Sequence, residues 1–192
     1  MAAIASPRFV AAFGALGAAA LLTACGAMPG SGAAPSMFSQ ASLPPTVQVP
    51  AGHKVALETV GKGTVSYECR PKADMPEQTA WTFVGPDAKL MDRGGRQVGT
   101  YYGPPATWEA ADGSKITGTQ LAVAPSSPTA LPYQLVKANP AMGSGAMSGV
   151  TYIQRVALTG GVAPADRPCT PATRGQKAVV QYQADYIFWK AA

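Results

Sequence analysis

The stretch "VQYQADYIFW", residues 180–189, has a period of two: Val180, Tyr182, Ala184, Tyr186 and Phe188 fall on one face of an extended chain. Side chains alternate across a strand, so a run of this kind buries one face as a strand and scatters its apolar residues as a helix. "TVSYEC" likewise sets Val65, Tyr67 and Cys69 against Thr64, Ser66 and Glu68, and "GVTYIQRVAL" alternates among β-branched residues. Further short strands are predicted over residues 54–60, 81–84, 97–102, 115–121 and 133–136. Turn signals separate them at Gly61-Lys62-Gly63, residues 92–95, Asp112-Gly113 and Gly160-Gly161. Short strands at this spacing predict an all-β antiparallel sandwich or small barrel with at most one short helix. Composition agrees, because 21 Gly, 18 Pro and only 13% charged residues are poor material for long surface helices.

The N-terminus has a different pattern. Arg8 precedes an unbroken run of apolar and small residues, 9–22, and small residues follow. That is the layout of a secretory signal peptide over residues 1–24, too short for a comfortable membrane span. The junction Leu22-Thr23-Ala24-Cys25 resembles the lipobox of bacterial lipoproteins, in which the cysteine is acylated and becomes the first mature residue. Cys25 is therefore expected to be a lipid anchor, and several acyl chains would hold the chain on a membrane more firmly than one. Gly26 and Ala27 follow it, where Asp at the second mature position would favour retention at the inner membrane. The expected location is the cell envelope, on the outer membrane facing the periplasm. Residues 25–45, dominated by Gly, Ala, Pro and Ser and lacking charge, read as a flexible tether, with a single all-β domain over 46–192.

Two cysteines remain once Cys25 is assigned. In an exported chain Cys69 and Cys169 most simply pair. The rival, a thiolate metal site, lacks partners, because His53 is the only histidine. The net charge of +5 comes from scattered Lys and Arg, whereas nucleic-acid binding needs a clustered basic face. No nucleic-acid partner, metal or cofactor is expected.

Few residues point to chemistry. His53 has no second histidine or nearby acid, and no G-x-S-x-G elbow accompanies it. "GKGTVSYEC" lacks the spacing of a phosphate-binding loop and is better taken as a turn. Met142 and Met147, in "NPAMGSGAMSG", raise a copper reading that two thioethers in a glycine-rich loop support less well than gap filling. The densest segment is "VGTYYGPPATWEAADGSKITG", residues 98–118, in which Tyr101, Tyr102 and Trp108 bracket a Gly-Pro-Pro turn ahead of Glu109 and Asp112. Rings beside carboxylates suit a saccharide or other small ligand, the rings stacking and the acids fixing hydroxyls. Against this stands a structural reading, with Trp108 and one tyrosine in the core and Asp112-Gly113 as a hairpin turn. Those five residues are the candidate ligand contacts.

The blocks "GHKVALETVGKGTVSYEC", "WTFVGPDAKLMDRGGRQVGT", "TWEAADGSKITG", "VTYIQRVALTGGVAP" and "YQADYIFW" together resemble the uncharacterised family called domain of unknown function thirty-four fifty-five, secreted proteins of bacteria and fungi. The resemblance implies a secreted domain and supplies no catalytic residue. Members often carry a histidine where this chain has Tyr101 and Tyr102. Some fungal relatives carry a malate dehydrogenase label, for which the chain offers no G-x-G-x-x-G fingerprint. The expected function is a lipid-anchored binding or structural module of the envelope. The alternative is a carbohydrate-active or other hydrolase using Glu109 and Asp112 as paired carboxylates.

Overall fold

A computed structural model of the chain describes residues 38–192. The signal peptide, Cys25 and most of the tether fall outside the described residues. Eight strands follow one another: β1 His53–Pro71, β2 Thr79–Met91, β3 Gln97–Tyr102, β4 Thr107–Ala110, β5 Lys115–Ala124, β6 Tyr133–Ala138, β7 Val150–Gly160 and β8 Lys177–Ala191. Each pairs antiparallel with the next, and β8 returns to β1, so the sheet closes into an up-and-down barrel. Among the described residues there is no α-helix, only 3₁₀ turns at Pro45–Val47 and Pro171–Thr173. Of the two architectures the alternation allowed, the chain adopts the barrel.

The strands are longer than the turn signals implied. β1 runs straight through Gly61-Lys62-Gly63, which the sequence reading took for a turn. The reason is close approach rather than reversal. A Cβ on Gly61 would come within 2.6 Å of the Tyr186 ring, and one on Gly63 within 2.1 Å of the Asp87 carbonyl. The predicted strand 81–84 likewise continues through Gly85 and Pro86, and Pro86 pairs with Val65. β4, which carries Trp108, was not predicted as a strand at all.

Inward-facing residues of alternate positions fill the barrel. Trp108, Ile116, Ile153, Tyr186 and Phe188 are all at most 1% exposed. Eight strands leave an interior that side chains fill, or that holds one small ligand. Because the strands alternate in direction, connections alternate between two ends. At one end the β6–β7 loop drops Met147, fully buried, into the core as gap filler. At the other end lie the β1–β2, β3–β4, β5–β6 and β7–β8 connections, and there Cys69 bonds Cys169 across a Cα–Cα distance of 5.4 Å. That disulfide fastens the β7–β8 loop to the end of β1.

Part of the stretch read as tether is folded. Phe38 sets its ring edge-on to Trp189, with centroids 6.3 Å apart, and its N–H donates to Glu58. Val47 and Val49 are buried against Leu135, Val156, Ile187 and Trp189, the outward-facing residues of β6, β7 and β8. The chain ahead of β1 is thus a strap on the outside of the barrel. Gln154 stitches it down, with Nε2 donating to the Val47 carbonyl at 2.6 Å and Oε1 accepting from the Trp189 indole at 2.8 Å.

Candidate functional site

Barrel geometry divides the 98–118 segment in two. Tyr101 and Trp108 are opposite one another on β3 and β4 and point inward, their rings stacked at 4.6 Å. Tyr186 closes on both, at 4.9 Å and 5.8 Å. These two candidates are therefore interior residues, Tyr101 5% and Trp108 1% exposed, as the structural reading of the segment had it. Tyr102, the next residue, must face outward, and its hydroxyl donates to Glu109 at 2.7 Å. That bond, above all, holds the Tyr102 phenol above its ordinary pKa.

The two acids are engaged by separate partners. Glu109 borders a shallow outer depression of about 350 Å³ that also takes in Gln97, Gly99 and Thr100. Asp112 is absent from its lining, because its carboxylate is occupied elsewhere. One oxygen accepts from the Ser114 amide and hydroxyl, the other from the Ala146 amide at 2.7 Å. These bonds, the Ser114 hydroxyl foremost, hold the Asp112 carboxyl below the ordinary carboxylate range. Ser114 in turn accepts from the Met147 amide, so Asp112 clasps the loop that closes that end of the barrel. The hydrolase alternative has no support in this arrangement.

The interior holds a different constellation. At the end fastened by the disulfide, a cavity of about 160 Å³ opens among the strands, with Phe83, Tyr101, Trp108 and Val136 as apolar walls. Its polar lining comes from Gln120, Gln134 and Arg155. Gln134 donates to Gln120 at 2.6 Å. Arg155 is 9% exposed, with Nε and Nη2 both donating to the Pro132 carbonyl, at 3.3 and 3.0 Å. Burial raises the pKa of Tyr101, Tyr182 and Tyr186, while the charge of Arg155 opposes the shift in all three. The phenols thus remain neutral around an interior cation. Two residues beyond Arg155, Ala157 adopts φ 49° where β7 bulges against β8. Bulges of this kind re-aim side chains and collect beside functional sites.

Arg155 is the residue that sequence reasoning missed. The signal was present: it interrupts "GVTYIQRVAL" in phase with Ile153, which faces the core. His53, by contrast, lies at the surface, Nδ1 against the Pro50 carbonyl and ring edge-on to Tyr152. Among the described residues no three His, Cys, Asp or Glu side chains gather as a metal site.

Fold and cavity define a class: a disulfide-fastened, eight-stranded up-and-down barrel with a small, partly polar pocket at one end. Residues 50–190 match the model of the family described as "Protein of unknown function (DUF3455)", and the chain belongs to that family. No curated protein and no solved structure matches the chain significantly.

Proposed function

We propose that this protein is a lipid-anchored module of the bacterial envelope that binds a small ligand in the cavity at the open end of its barrel. The observation that carries the binding reading is Arg155, a buried guanidinium that lines the cavity and pairs with no carboxylate. Trp108 lines the cavity, and its Nε1 is buried with no hydrogen-bond partner. An orphaned buried donor costs about 1–3 kcal/mol. The Tyr186 ring, edge-on at 5.8 Å, offers at best an N–H···π contact, a second-order interaction.

The anchoring reading rests on the Leu22–Cys25 junction, and the disulfide agrees with export, since such bonds persist in oxidising compartments. Mass spectrometry of the mature N-terminus should find an acylated Cys25, and Cys25→Ser should release the protein or block its processing. An unmodified start at another residue overturns the anchor. For the cavity, the test is a screen of fragments of under about ten heavy atoms, followed through the indole N–H resonances of Trp81, Trp108 and Trp189. At least one fragment should move Trp108 alone. If none does, or if Gln120→Phe at the rim leaves the shifts intact, the cavity is not a binding site.

A further inference from the structure

Resting on that reading, we infer that the cavity selects a small monocarboxylate with an apolar body, and that Arg155 is the group that selects it. The charged groups of the barrel show why. All the ion pairs among the described residues lie at the outer surface, and the arginines in them are the exposed Arg70, Arg93 and Arg96. Arg93 alone holds two carboxylates, Glu58 and Asp185. Arg155, the most deeply buried arginine described, has none. A buried charge is ordinarily paired, because taking it out of water is costly. Here one backbone carbonyl accepts from two of its nitrogens, and no acid balances the charge.

The remaining lining narrows the ligand. Arginine donors suit the two oxygens of a carboxylate. A single cation with neutral tyrosines around it matches one negative charge, not the two of a phosphate. Phe83, Trp108 and Val136 offer apolar contact rather than further donors. The volume of about 160 Å³ corresponds to about five waters, which sets the scale at a carboxylate on a body no larger than one ring.

Benzoate and its neutral isostere benzamide separate charge from shape. Titrated into the isolated protein, benzoate should bind at least about tenfold more tightly than benzamide, both read at the Trp108 indole. Arg155→Met should reduce benzoate to the affinity of benzamide and leave benzamide unchanged, while Arg155→Lys keeps part of the preference. The wild-type comparison needs no variant, so a misfolded Arg155→Met leaves the test intact. Equal binding of the two probes overturns the carboxylate inference but keeps the cavity as a site. Neutral fragments moving Trp108 while acetate, isobutyrate and benzoate do not overturns it as well. A screen in which nothing moves Trp108 overturns the binding reading beneath it.

Discussion

The three tryptophans of the molecule sit in different company: Trp108 and Trp189 are buried, and Trp81 is only partly so. Trp189, under the strap, gives its indole N–H to Gln154 at 2.8 Å. Gln154 is itself bonded to Gln40 and to the Val47 carbonyl, and Gln40 exchanges two bonds with the backbone of Val49. Trp81 donates to the Arg167 carbonyl at 2.8 Å. Trp108, in the barrel, donates to nothing, and the guanidinium lining the same cavity has no acid. The strap face behaves as a finished interface in which the buried side-chain polar atoms are met. The barrel interior does not. Burial is the same signal in both places, and what distinguishes support from site is whether the buried polar groups are satisfied.

The comparison breaks first on truncation. Trp108→Ala removes the ring stacked between Tyr101 and Tyr186 and should cost roughly 3–5 kcal/mol in a denaturant melt. A loss below about 1 kcal/mol would mean that the aromatic stack is not part of the core, and the interior cavity would have to be redrawn.

It sharpens on removal of the N–H alone. Trp189→Phe strands the Gln154 carbonyl oxygen in a fully buried place, which adds about 1–3 kcal/mol to the packing loss. Trp108→Phe strands nothing, so its cost should be the packing loss only. Gln154→Leu should give Trp189 the condition of Trp108 and loosen the strap, seen as faster proteolysis within residues 38–50. Equal costs for the two Phe variants would mean that the Trp108 indole is met by solvent or protein after all.

How much of this was legible follows from what alternation can and cannot encode. Period two identified the second half of β1, β7 and β8, and along the predicted strand 97–102 it required that of two adjacent residues, Tyr101 and Tyr102, only one face inward. Counting cysteines sufficed for Cys69–Cys169. Closure was not legible, because sandwich and barrel strands alternate alike and only the pairing of β1 with β8 decides. Gly61 and Gly63 misled because a glycine admitting a tyrosine ring is written with the same letter as a glycine in a turn. Arg155 escaped notice because polarity at an inward position breaks the very pattern being sought. The first part of the strap, residues 38–45, escaped because its few apolar residues, Phe38 and Leu43, are interspersed with the composition of a linker.

The smallest effect concerns the two acids, which lie close in sequence and differ in task. Glu109 bonds only the Tyr102 hydroxyl, with Lys115 4.0 Å away, all near the surface. Glu109→Gln should leave the melt within about 0.5 kcal/mol of wild type. Asp112 instead orders a loop, and Gly145, at φ 156°, packs so near its carboxylate that a Cβ there would sit 2.4 Å from Oδ2. Its carboxyl is held below the ordinary range, so the contribution is present above the unfolded pKa, near 4. It fades as pH falls through the lower, folded value. Asp112→Asn should therefore speed amide exchange at Ala146 and Met147 at neutral pH, and wild type should show the same loosening only in acid. Protection at those two amides that ignores both the substitution and pH would mean that the β6–β7 loop is held by Met147 packing alone.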